Sequence, residues 1–388
     1  MNSTAALIIS VVIAFGITAG LGFVIIPWLR KLKFGQTILD IGPKWHKSKQ
    51  GTPNMGGLMF IIGIVLSFAL TVLIYHLSGG NLESEYSSIM NGRELVLLLA
   101  GLILALGCGA VGFIDDFTKI KLKRNEGLSP KQKTLGQLIV TLGYIATLWM
   151  SHNTSWYIPF IGRVNFEKNI FTAVVFWILS IFIVYGCVNS VNLTDGIDGL
   201  CSSVTSTVAI AFIVLGYIQG FAGLTIFSGA LLGGVLGFLC WNWNPAKTFM
   251  GDTGSLTIGM LLAVMAIRLS MSDPMKESVF PGVIVTAFSF LIVPMLDVVR
   301  VVLHRWRNRK PLFLPDKNHI HHKFIALGMS QRKAMACIIA LALAFAVVNV
   351  FLIHYLTTTT LFLLDVAVWT VLHCYITIKI KRKNNCTE

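Results

Sequence analysis

The sequence predicts an all-α polytopic membrane protein whose polar chemistry is gathered on the cytoplasmic face of the bilayer. Three observations carry this. The 388 residues are 55% hydrophobic and only 12% charged, whereas a soluble domain carries about 25% charged residues; the mean hydropathy is +0.75. Apolar runs long enough to cross a ~30 Å hydrocarbon core recur from end to end, without the short alternating strands of a membrane barrel. The basic residues crowd into alternate connections between those runs. Residues 1–388 read as a single integral-membrane domain.

About eleven spans are expected. The first, 5–28, lies in a stretch without a charged side chain and is followed by Arg30, Lys31 and Lys33. A cleaved signal peptide carries its positive charges ahead of the apolar region, so this helix is expected to stay in the membrane with its N-terminus outside. The second, 56–77, opens at "TPNMGG", and the third, 95–114, runs into Asp115 and Asp116. The fourth, 134–150, follows "SPKQK". The fifth and sixth, 171–190 and 200–218, flank "VNLTDGIDGL". The seventh and eighth, 223–241 and 255–271, are short and Gly-rich and flank "NPAKTFMGDTGSL"; the eighth contains Arg268. The ninth, 281–303, contains Asp297 and Arg300, read as a structural ion pair, and leads into a strongly basic loop. The tenth and eleventh are 334–355 and 360–378, with Asp365 near the outer end of the last.

Connections after odd-numbered spans hold 25 Lys and Arg, against four (Arg93, Arg163, Lys168, Lys276) on the other side. That asymmetry places the first set in the cytoplasm. The net charge of +14 is thus a sidedness signal, suited to an anionic membrane face and anionic substrates. Nucleic acid is a poor partner, because the charge is split among loops and no binding module appears. The cysteines form no C-x-x-C pair and read as small core residues, with Cys386 in the tail.

The conspicuous polar residues all fall in the cytoplasmic connections: His46, Lys49 and Asn54 in "HKSKQGTPNMGG"; Asp115, Asp116 and Lys119 in "GFIDDFTKIK"; Asn192, Asp195 and Asp198; Asp252; and His319, His321 and His322 in "PDKNHIHHKF". A carboxylate at a membrane boundary still needs a partner. Adjacent Asp115 and Asp116 repel unless a cation neutralises them, so they suit a metal ligand or a general base, with Lys119 one turn on to hold a phosphate. Asn192, Asp195 and Asp198 recur every three residues and share a helical face; Gly196 and Gly199 permit close approach. The same aspartates would also cap the sixth span. Asp252 lies in G-D-T-G-S ahead of the eighth span, where it suits a hard cation such as Mg²⁺, which takes one or two carboxylates and leaves room for phosphate oxygens. The histidines suit phosphate contact better than zinc, lacking a Cys or second His pair. Carboxylates, lysines and a divalent metal at a lipid interface make a phosphoryl-transfer constellation. A transporter, the alternative of another class, would place its polar groups at mid-membrane depth on broken helices, not at one face.

In these motifs ("KQGTPNMGG", "GFIDDFTKI", "NEGLSPKQKTLGQ", "NSVNLTDGIDGL", "NPAKTFMGDTGSL" and the His loop, in that order along nearly the whole chain) the sequence resembles the polyprenyl-phosphate N-acetylhexosamine-1-phosphate transferases, most of all their muramoyl-pentapeptide branch. The resemblance implies a multi-pass protein of the bacterial inner membrane that works as a homodimer and binds uridine-containing nucleoside inhibitors. It implies transfer of phospho-MurNAc-pentapeptide from UDP-MurNAc-pentapeptide to undecaprenyl phosphate, a membrane lipid, giving lipid I and UMP. It places Mg²⁺ on Asp252, a base at Asp115 or Asp116, and catalytic contacts at His321 and His322. Lys49, Asn54, Lys119, Asn192, Asp195, Gly196, Asp198 and His319 fall at the nucleotide-sugar site, with Phe249 stacked on uracil and Asn242 beside it. In two respects the chain departs from that branch. Lys323 stands where a third His is usual, and eleven spans are expected where ten are usual. Both features resemble the N-acetylglucosamine branch, which makes UDP-GlcNAc the alternative donor.

Overall fold

The computed structural model describes residues 1–32, 51–80, 82, 93–122, 127–270, 288–309, 319–353 and 355–385. The predicted spans fold as α1 (Ser3–Lys31), α2 (Gly57–Leu77), α3 (Arg93–Lys121), α4 (Pro130–Met150), α5 (Ile170–Thr194), α6 (Leu200–Ile218), α7 (Ala222–Asn242), α8 (Gly251–Ser270), α9 (Ile292–Arg307), α11 (Gln331–Leu352) and α12 (Thr358–Asn385), with a seven-residue helix α10 (Ile320–Ala326) ahead of α11. Nine helices among the described residues are long and apolar enough to cross a membrane. α4 and α9 fall outside that set. α4 is long enough, at 21 residues, but carries Lys131, Lys133 and several amides and hydroxyls; α9 is only 16 residues long, and residues 281–287 of the ninth predicted span lie outside the described residues.

Helix ends differ from the hydropathy reading in a way that matters for the site. α3 runs on to Lys121, α5 to Thr194, and α8 begins at Gly251. Asp115, Asp116 and Asp252 therefore sit inside terminal helical turns and not on loops. Hydropathy marks where the hydrocarbon ends, whereas helical hydrogen bonding continues through the polar turn beyond it.

The bundle is arranged around α8, in which every residue from Thr253 to Ser270 is buried. A helix apolar on all sides belongs inside other helices. α3 and α5 pack along it, while α7 packs on α1, α2 and α6 in an adjoining layer. Small residues let the backbones meet, as expected where lipid supplies no hydrophobic drive. A Cβ on Gly112 of α3 would overlap the Asp252 backbone, and one on Gly109 would overlap the Thr257 hydroxyl. This close contact brings the end of α3 against the start of α8.

A two-stranded antiparallel hairpin, β1 (Ser155–Ile158) and β2 (Gly162–Asn165), joins α4 to α5 and was not expected from the sequence. Its Trp156 is buried against Phe166 and Phe176. Near the start of α3, Glu94 pairs with Arg268 at the end of α8 (3.2 Å), both buried. Asp365 of α12 accepts from Asn349 of α11 at 2.9 Å, again buried.

Candidate active site

Asp115, Asp116 and Asp252 each offer an oxygen within 4.8 Å of the others. Every atom of this group is a carboxylate oxygen, the donor set of a hard divalent cation such as Mg²⁺ and not of zinc. It is the one group of this kind among the described residues.

Two ammonium groups serve the three carboxylates. Lys119 Nζ contacts Asp115, reaches Asp252 Oδ2 at 3.0 Å and lies 3.9 Å from Asp116. Lys133 Nζ reaches the same Asp252 oxygen at 2.8 Å. With all five ionised the cluster holds three negative charges and two positive, a net single negative charge that draws a cation. Lys133 joins the cluster although its sequence motif, "SPKQK", does not single it out from its neighbours. Its placement has a local cause: Ser129 and Gln132 form a capping box, with Pro130 in the first turn, so α4 starts sharply and aims its first turn at α8.

Asp116 is the most firmly held member. It accepts from Asn54 Nδ2 (3.0 Å), Thr253 N (2.9 Å) and Thr253 Oγ1 (2.8 Å). Asp115 accepts from Leu128 N at 2.7 Å besides Lys119. Asn192 donates to Asp252 Oδ1 (2.8 Å) and to Ser255 Oγ (2.7 Å). The structure thus joins Asn54, Asp115, Asp116, Lys119, Asn192 and Asp252, all singled out in the sequence, in one hydrogen-bonded unit. Lys49 lies outside the described residues.

The segment carrying Asn54 is tied to the one carrying Phe249 by backbone bonds. Phe249 N donates to the Pro53 carbonyl (2.9 Å), Gly56 N to Phe249 O (2.8 Å) and Gly57 N to Met250 O (3.1 Å). Phe249 is half-buried beside Gly251, whose φ of +70 suits glycine and whose Cβ would overlap Asp116.

A second group adjoins the end of α5. Asp195 is the C-terminal cap residue of α5. Gly196 faces the His321 imidazole so closely that a Cβ there would overlap the ring. Asp198 accepts from Asn244 Nδ2 (3.2 Å) and Ala246 N (3.1 Å). Asn242, expected beside the uracil, is 1% exposed. Its Nδ2 donates to the Thr248 carbonyl and its Oδ1 accepts from Gly199 N, so it ties the 195–199 turn to the 243–250 segment.

The His loop is anchored by Asp297. His319 Nδ1 meets Asp297 Oδ2 at 2.8 Å, Ile320 N donates to the same carboxylate, and Arg300 pairs with it at 3.0 Å. The expected Asp297–Arg300 pair is present and does more than pair. His319 is buried and parallel to His321 at 5.8 Å between ring centres, and His322 lies 4.2 Å from His321. Lys323 turns away, to Thr377 Oγ1 of α12 at 2.8 Å and His373 Nδ1 at 3.4 Å.

Residues 97–270, which contain the carboxylates and most of their partners, match the model of the family described as Glycosyl transferase family 4. A phospho-N-acetylmuramoyl-pentapeptide-transferase from Desulforamulus reducens is 36% identical over 339 residues, covering 87% of this chain and 92% of that protein. Proteins of the same name from Halalkalibacterium halodurans and Bacillus subtilis are each 34% identical, covering 90% and 89% of this chain and 98% and 97% of their own. Likeness at this level along nearly the full length of both partners, on a helical membrane bundle with a carboxylate and lysine centre, shows that the chain belongs to the phospho-N-acetylmuramoyl-pentapeptide-transferase family.

Proposed function

We propose that this chain transfers phospho-MurNAc-pentapeptide from UDP-MurNAc-pentapeptide to undecaprenyl phosphate, releasing UMP and forming lipid I for peptidoglycan synthesis. The observation that carries this is the meeting of Asp115, Asp116 and Asp252 with Lys119 and Lys133, in a chain whose curated relatives bear the transferase's name. A bound Mg²⁺, held by Asp252 with the neighbouring aspartates, would offset charge on the pyrophosphate and on departing UMP.

The reaction joins an oxygen of the lipid phosphate to the β-phosphorus of the donor and breaks the bond from that phosphorus to the oxygen bridging to UMP. Asp116 has both oxygens engaged by Asn54 and Thr253, so its part is to hold geometry. Asp115 is the better base for a lipid phosphate that arrives protonated, since it has a single backbone donor, Leu128 N, and otherwise faces Lys119 and the Asp252 carboxylate. Lys119 and Lys133 are positioned to pass from carboxylate to phosphate oxygens as substrate enters. Phe249 offers a face for uracil, and His321 and His322 offer donors to the pyrophosphate. The protein lies in the bacterial inner membrane with its N-terminus outside and this centre in the cytoplasm, works as a homodimer and takes uridine-containing inhibitors at the uracil site.

The test offers purified protein both UDP-MurNAc-pentapeptide and UDP-GlcNAc, with undecaprenyl phosphate, and follows UMP with and without Mg²⁺. Mg²⁺-dependent consumption of the muramoyl donor is expected. Preferential use of UDP-GlcNAc would overturn the donor assignment, and rates unaffected by chelation would overturn the metal.

A further inference from the structure

α10 is too short to stand alone, since isolated helices below about 12 residues are marginal in water. Its position must come from contacts: Ile320 and Phe324 are buried in the core, and two polar contacts orient it. Asp297 of α9 holds its start through His319 Nδ1 and Ile320 N. On its far side Lys323 Nζ reaches Thr377 Oγ1 and His373 Nδ1 of α12. His321 and Lys323 are two residues apart, about 200° around a helix, so they face opposite ways. His321 meets Gly196 at the end of α5, while Lys323 meets the last membrane helix.

We propose that Lys323 is a positioning residue: bonded to Thr377, it sets how α10 presents His321 and His322 to the 195–199 turn, and so makes the last membrane helix part of the catalytic geometry. The inference rests on the transferase reading for its rate measurements. Although Lys323 stands where a third His is usual, the same ammonium cannot serve α12 and a pyrophosphate on His321's side. The contact is specific in its chemistry. Thr377 donates its own proton to the His373 carbonyl (2.7 Å), which leaves its oxygen to accept from Lys323. His373 offers Nδ1 to the same ammonium, while its Nε2 is buried without a partner.

The experiment compares Lys323→Met, Thr377→Val, the double variant and Thr377→Ser in the full-length protein. Steady-state UMP release is measured, together with the rate at which diethyl pyrocarbonate modifies His321 and His322, read by mass mapping without substrate. Each of the first two variants is expected to lower kcat about tenfold or more, the scale of a misplacement remote from the chemistry, with KM for the donor little changed. The double variant should be no slower than the slower single one, because both remove one link. Thr377→Ser, which keeps the hydroxyl, should behave as wild type. Histidine modification rates should shift in the impaired variants and not in Thr377→Ser. Wild-type kcat in Thr377→Val, or losses that multiply in the double variant, would overturn the proposal. If wild-type protein releases no UMP from the muramoyl donor, the functional reading fails, while the modification rates still decide whether α12 positions the histidines.

Discussion

Asp252 carries four partners at once: Lys119 and Lys133 share one oxygen, Asn192 holds the other, and the Asp115 carboxyl bonds to it as well. Replacing it by Asn removes a full negative charge, weakens a hard-cation ligand and leaves two ammonium groups facing an amide. Asp252→Asn is expected to lower UMP release by about a hundredfold or more while the protein still folds, as judged by thermal unfolding in detergent; normal turnover would remove Asp252 from the chemistry. Lys323 predicts a pH effect of a different kind. Burial, and then the charge of Arg300, push its ammonium down to about 8; Asp297 and Cys374 act in the opposite sense, and His373 is its bonded neighbour. Between about 8 and the unfolded value of ~10.4, the unfolded chain binds more protons than the folded one, so stability rises with pH across that window. Unfolding temperatures of wild type and Lys323→Met should therefore differ most near pH 7, in favour of Met, and converge towards pH 10. Parallel curves would show that the ammonium is not held at such a disadvantage. A residue that lowers stability yet raises turnover is in keeping with a positioning role.

At the scale of elements, α4 and the 195–199 turn illustrate what the sequence could and could not reveal. Apolar runs and the Asp motifs are legible, because hydrophobic length and charge burial follow local rules; the expected aspartate cap of α6 is not present, since Gly199 takes the N-cap position without a side-chain bond and Asp195 ends α5 instead. The hairpin is not legible, since its strands are four residues each and their pairing depends on Trp156 finding Phe166 and Phe176. Lys133 and Asp297 were not assigned to the site because each gains its role from a partner more than a hundred residues away or across a loop. The burial of Asn242 and its ties to Gly199 and Thr248 likewise belong to the packed molecule. Gly196 permits close approach, and His321 comes close. Gly196→Ala should push that ring aside and cut kcat about tenfold; an unchanged rate, measured as UMP release, would mean that the imidazole yields without consequence. Ser129→Ala should destabilise α4 by about 1 kcal/mol through loss of its cap, visible as faster amide hydrogen exchange in its first turn.

For the whole molecule, the carboxylate centre and the Glu94–Arg268 pair lie at opposite ends of α3, 21 residues or about 32 Å apart at 1.5 Å per residue. Arg268→Met should destabilise the protein by about 3–5 kcal/mol by leaving the buried Glu94 carboxylate with the Leu224 amide but no counter-charge, and adding Glu94→Gln should recover most of that. Equal unfolding temperatures for wild type and Arg268→Met would show the pair to be dispensable. The 25-to-4 division of basic residues predicts that Cys386 is labelled by a membrane-impermeant reagent only after cells are opened; labelling in intact cells would invert the topology. One feature of the bundle bears on how the protein can be handled. α8 is sheathed on every side from Thr253 onward, so the helix that bears Asp252 never meets the acyl chains. Exchanging those chains for detergent, or thick bilayers for thin, changes the surroundings of α1, α5 and α12 first. The carboxylate geometry is insulated from that exchange by a full layer of protein, and activity in micelles should track the state of the outer helices while α8 keeps the slowest amide exchange in the molecule.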